Sequence, residues 1–170
     1  MNQNNESKLI NALITDLTCD NVIKCQNARH ELVVLGPAVV EPLSKALKSR
    51  KQMVRWEAAK ALGQIGGPEA MTVLVKTLRD RSFDLRWLAA EGLTAMGREA
   101  VVPLLRELTR HPNSIWLQQG VHRILHNMKR GELDSLLKPV IKALEGAHPS
   151  LEVPLAAKVA LDKIADIERS

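Results

Sequence analysis

Val54-Arg55-Trp56-Glu57-Ala58-Ala59-Lys60-Ala61-Leu62-Gly63-Gln64-Ile65-Gly66 and Leu85-Arg86-Trp87-Leu88-Ala89-Ala90-Glu91-Gly92-Leu93-Thr94-Ala95-Met96-Gly97 are one pattern written twice, 31 residues apart. In each copy apolar residues fall at i, i+4, i+8 and i+11: Val54, Ala58, Leu62 and Ile65, then Leu85, Ala89, Leu93 and Met96. That spacing is one stripe of a helix of period 3.6. Gly66 and Gly97 follow the last stripe residue, where a left-handed C-terminal cap is expected. A fixed period of this length predicts stacked supersecondary units, none of which buries its apolar face alone.

Working outward, a complementary unit follows each such helix: Pro37–Leu47, Pro68–Leu78, Arg98–Leu108 and, more loosely, Leu133–Leu144. Pro37 and Pro68 suit a first helical position. Pro42, Pro103 and Pro139 recur inside the unit, so each must lie in a first turn or bend its helix. The register predicts ten helices, at roughly 6–17, 20–35, 37–48, 51–65, 68–79, 83–96, 98–110, 114–129, 131–145 and 150–168. They pair into hairpins 6–35, 37–65, 68–96, 98–129 and 131–168, each with a second helix of the Val-Arg type. Helix 20–35 fits imperfectly, through Ala28, Leu32, Leu35 and Gly36. The expected fold is a single all-α domain, a right-handed α-solenoid of five hairpins spanning 1–170.

Composition agrees. The 170 residues are 45% apolar and only 2% aromatic, so Leu, Val, Ile and Ala must build the core. The longest charge-free run, between Arg110 and Arg123, falls short of the roughly 20 residues that span a bilayer. Met1–Leu17 carries Glu6 and Asp16 and no basic-then-apolar leader, which makes the cytoplasm the expected location. Cys19 and Cys25 are too few for a zinc quartet and are expected reduced. The net charge of +5 concentrates in Lys45, Lys48, Arg50, Lys51 and Arg55, which reads first as a solvated helix end and turn.

The motif V-R-W-E-A-A-K-A-L-G-Q-I-G followed by P-E-A resembles HEAT-like repeats of the short bacterial kind, also found in phycobilin lyases. The resemblance implies that the Val-Arg helix lines a concave face. Carried onto this chain, it points Met53, Trp56, Glu57, Lys60 and Gln64 into the groove from one repeat. The next contributes Phe83, Asp84, Trp87, Leu88 and Glu91, and the one after Ile115, Trp116, Gln119, Gly120 and Arg123. Every aromatic of the chain is among them, and Trp is the residue most often found anchoring interfaces. Trp56 and Trp87 are the expected anchors, flanked by Phe83, Leu88, Met53 and Trp116, with Glu57, Lys60, Glu91 and Arg123 as a polar rim. For Arg55 and Arg86 the resemblance implies a structural bond to an acidic or carbonyl group of the adjacent turn, Asp80 and Asp84 being candidates. Gln118 replaces this Arg in the fourth repeat and Pro154 in the fifth, which predicts a changed bond towards the C-terminus.

No catalytic constellation emerges. His122 and His126 share a helical face, but two ligands make half a metal site, and the acids closest in sequence are Glu132 and Asp134. No metal or other cofactor is expected. Deoxyhypusine hydroxylases share the fold and hold two irons with several His-Glu dipeptides; only His30-Glu31 is such a dipeptide here. There is no nucleophile elbow or phosphate loop. Alkylpurine DNA glycosylases, another HEAT-like branch, use a basic groove, whereas this groove mixes Glu57, Asp84 and Glu91 with Lys60 and Arg123, so nucleic acid is an unfavoured partner. The expectation is a non-enzymatic scaffold that binds another protein, with self-association open; a phycobilin lyase-like, chromophore-handling role is the alternative.

Overall fold

The computed structural model describes residues 3–18, 21–128 and 131–169. Among these, every regular element is helical, and the ten expected helices form close to their expected limits. The capping chemistry explains their starts. Asn21 accepts from the Ile23 and Lys24 amides to open α2 (Val22–Leu35), after α1 (Gln3–Asp16). Ser82 and Ser114 accept from Leu85 and Leu117 to open α6 (Phe83–Met96) and α8 (Ile115–Asn127).

Two features of the ends were not readable from the period. The glycines that close α2, α4 (Gln52–Ile65) and α6 have positive φ but strongly negative ψ: 65/−141° at Gly36, 66/−158° at Gly66 and 61/−130° at Gly97. This is the mirror image of the β region rather than the left-handed helical cap expected, and only glycine enters it without strain. Asn tolerates the left-handed helical region but not this one. Gly97→Asn should therefore destabilise the protein as much as Gly97→Ala does, by about 1–2 kcal/mol in a urea titration. An Asn variant clearly better than the Ala variant would point back to a left-handed helical cap.

The second feature lies at the proline helices. α3 (Val40–Ala46) and α7 (Val101–Arg110) are each preceded by a 3₁₀ turn, Gly36–Val39 and Gly97–Ala100, and Pro42 and Pro103 are the third residues of their helices. Proline cannot donate the i→i−4 bond back into that turn, so α geometry starts only where the first orphan amides would be in any case. α5 (Gly67–Thr77), with Val73 at the corresponding position, is α-helical from its first residue. Pro139 sits deeper, at the sixth residue of α9 (Asp134–Glu145), which follows the 3₁₀ turn Gly131–Leu133.

The chain divides into two compact units, Met1–Leu74 and Val75–Ser170, and the division falls within α5. In the first, α1 packs on α2 and α3, and α4 packs on α2 and α3. Its core holds Leu13, Leu17, Leu32, Leu43, Ala58 and Leu62, with Cys25 also buried; Cys19 lies outside the described residues. In the second, α6 packs on α8, and α9 on α8 and α10 (Pro149–Arg169). Leu85, Leu93, Leu104, Leu117, Val121, Leu125, Leu137 and Val153 fill that core. All-α hairpins of the expected kind thus make up the fold, with one departure. The last helix, read as an inner Val-Arg helix, packs against α7 as well as α9. Its buried stripe is Val153, Ala157, Ala160 and Ile164, so Ala160 takes the place expected of Leu161.

Candidate interaction surface

Arg86 sits one turn into α6, and its Nη1 donates to the carbonyls of Asp80 (2.8 Å) and Arg81 (3.1 Å) at the preceding turn. Arg55 does the same to Ser49 (2.8 Å) and Arg50 (3.1 Å). The acceptors are backbone oxygens, not the carboxylates of Asp80 or Asp84. Gln118, at this register in α8, donates its amide to the Pro112 carbonyl at 2.6 Å. The bond anticipated to change in the fourth repeat is therefore kept with a shorter side chain. These bonds satisfy carbonyls of the turns that lead into α4, α6 and α8, and they remove Arg55 from the basic run around Lys48 and Lys51.

Because this bond fixes the Arg86 guanidinium at the mouth of α6, its outer face is left to meet rings. It lies 4.7 Å from the centre of Trp116 and 5.7 Å from that of Phe83. Phe83 and Trp87 are neighbours one turn apart, ring centres 6.1 Å, and Arg123 from α8 stacks on Trp87. Phe83, Trp87 and Trp116 remain 64%, 39% and 41% exposed. With Ala90, Gln119 and Gly120 they line an open depression between α6 and α8. Gly120 makes room on α8 for Leu78, which follows α5: a Cβ there would meet the Leu78 side chain at 3.1 Å. Arginine over an aromatic face is an electrostatic attraction of about 0.5–1 kcal/mol at exposed sites. The pairs hold otherwise mobile side chains in place.

The other expected site residues are distributed differently. Met53 is exposed and Trp56 half-buried, both in the first unit. The Trp56 Nε1 is buried without a hydrogen-bond partner among the described residues, so the polar handle expected of this anchor is turned inward. Leu88 is half-buried and Glu91 exposed on α6.

Glu57 is a correction. Expected as an exposed rim carboxylate, it is 4% exposed. Its Oε2 accepts from Arg29 Nε of α2 at 2.7 Å and its Oε1 from Lys60 Nζ at 2.8 Å. Arg29 also reaches Gln64. Glu57 and Gln64 thus clamp α4 to Arg29 of α2, and Lys60 pairs with Glu57 along α4, instead of forming a free rim.

A second polar cluster lies on α8 and α9. His122 and His126 both place Nε2 at 3.0 Å from Glu145 Oε1. The hydrogen bonds of His122, then of His126, hold the Glu145 carboxyl below the usual carboxylate range. The acids expected near these histidines are engaged elsewhere: Asp134 with Lys138 and Glu132 with Arg98. Sequence spacing could not find Glu145, because the turn count between α8 and α9 decides which acid returns to the histidines.

The sequence pattern of HEAT repeats matches residues 8–84. Residues 8–84 are HEAT-like repeats. The match runs from within α1 through α5 to the start of α6, and the Trp56 copy of the repeated motif lies wholly inside it. No curated protein matches the sequence. Among the described residues no helix is long and apolar enough to cross a membrane.

Proposed function

We propose that this HEAT-like repeat chain is a non-catalytic interaction module that holds a partner protein against the α6/α8 face. HEAT repeats generally mediate protein–protein interaction. The observation that carries the reading further is the gathering of Phe83, Trp87 and Trp116, all exposed, around two guanidiniums. Large rigid rings with little rotamer freedom to lose are the side chains that dominate interface energies. The arginines favour a partner segment in which an apolar side chain is followed by a carboxylate, which would exchange for or add to the stacked guanidinium. Relative to the sequence expectation, the anchors are Trp87 and Trp116, not Trp56 and Trp87, and the polar complement is Arg86 and Arg123.

The test is selection of a displayed peptide library on the protein, with Trp87→Ala counter-selected. Peptides pairing an apolar residue with an acidic one should be enriched. Trp87→Ala should weaken them about 30-fold or more, roughly 2 kcal/mol, with little loss of folding. Selection that is indifferent to Trp87→Ala would overturn the reading. So would a visible absorption band acquired with a phycobilin, or salt-dependent retardation of duplex DNA.

A further inference from the structure

We infer that His122, His126 and Glu145 form a binding site for one zinc-type divalent cation, clipping α8 to the end of α9. The site follows from local structure. His122 and His126 lie one turn apart on α8, whose other side is held by buried Leu117, Val121, Ile124 and Leu125. Glu145 is the last residue of α9, held by buried Leu137, Val140, Ile141 and Ala143. Two packed helices thereby deliver three ligands from fixed directions.

The geometry suits a metal closely. Donor atoms of a tetrahedral zinc, at bonds of about 2.0–2.2 Å, lie roughly 3.3 Å apart. Here each imidazole Nε2 is 3.0 Å from the shared carboxylate oxygen, and one ligand atom from each of the three residues lies within 4.8 Å of the others. The rings approach to 4.5 Å between centres and are tilted by 59°, so their nitrogens converge without stacking face to face. A cation entering between them needs small side-chain rotations and no backbone movement. The ligands are open to solvent, with side chains 37%, 46% and 51% exposed, so an entrance exists and a fourth position is left for water or a donor from another molecule.

Donor type fixes the class of ion. Two imidazoles and one carboxylate favour zinc, cobalt, nickel or copper over magnesium and calcium, which prefer all-oxygen shells. A hydrolytic role does not follow. The residues between the histidines are Arg123, Ile124 and Leu125, of which the last two are buried and the first stacks on Trp87, so no carboxylate of α8 stands beside the open position as a general base. The site is one that ties helices together, and it stands independently of the interaction surface proposed above.

The experiment is calorimetric titration of the chelator-treated full chain with zinc chloride at neutral pH, paired with thermal melts and the visible spectrum of the cobalt form. One ion per chain with a micromolar Kd is expected, and at 100-fold excess over Kd the melting temperature should rise by roughly 5–10 °C. Cobalt should give the intense visible bands of low-coordinate geometry. His126→Ala should weaken zinc by about 100-fold and Glu145→Gln by about tenfold, while His30→Ala, on α2, should change nothing. His126 and Glu145 are exposed, so both variants fold and the metal-induced shift stays readable. Binding no tighter than millimolar, equal binding by His126→Ala, or an equal response to magnesium would each overturn the assignment.

Discussion

Glu57→Ala should destabilise the unit containing α2 and α4 by about 2–4 kcal/mol, seen as a lower urea midpoint at unchanged slope. The carboxylate is buried and accepts from two cations, Arg29 at 2.7 Å and Lys60 at 2.8 Å. Removing it leaves Arg29, whose side chain is only 18% exposed, without its counter-charge beside a cavity, with the Gln64 amide oxygen as its remaining acceptor. A stranded buried charge is costlier than the pair was worth. The corresponding residue of the next repeat is Leu88, which shows that the register accepts an apolar side chain. Arg29→Met combined with Glu57→Leu should therefore recover most of the loss, although Glu57→Leu alone should not. If the double variant is as unstable as the single one, the ion pair is more than a local compensation.

The same residue shows what a single sequence can and cannot disclose. Glu57 lies between stripe positions, so helical periodicity puts it outside the core, and its i+3 neighbour Lys60 makes it look like a surface pair. What buries it is Arg29, on a helix whose match to the repeat is poor and whose own burial follows Cys25, Ala28 and Leu32. Periodicity reports which face of one helix is apolar; it carries nothing about which polar side chain of another helix will arrive opposite. The helices themselves were legible because the apolar stripe and the closing glycine coincide, as at Leu85, Leu93 and Gly97. The clustering of Phe83, Trp87 and Trp116 was half legible: their register put them on neighbouring helices of one face, but the two arginines covering them were assigned to scaffold and rim. Glu145 was missed for the same reason as Arg29, since its partners lie on a different helix.

Arg86 separates scaffold from site, because Gln118 supplies a natural control. Arg86→Ala removes two charge-assisted bonds to the Asp80 and Arg81 carbonyls and the cover over Phe83 and Trp116. It should cost about 2–3 kcal/mol, since each bond from a charged donor to an otherwise orphaned carbonyl is worth about 1.5 kcal/mol or more. Arg86→Gln should cost only about 1 kcal/mol, because an amide at this register reaches the turn carbonyl in the next repeat and keeps one bond. An amide carries no charge to hold over a ring, so the two variants should be alike in the other respect. With Trp56→Phe and Trp87→Phe in place, acrylamide should quench Trp116 more readily in both than with Arg86 present. Stability that separates Gln from Ala, together with quenching that does not, would mean that one guanidinium serves two purposes: its inner edge closes the turn, and its outer face sets the orientation of the rings. If Gln is as destabilising as Ala, the carbonyl bonds are not where the stability of this position resides.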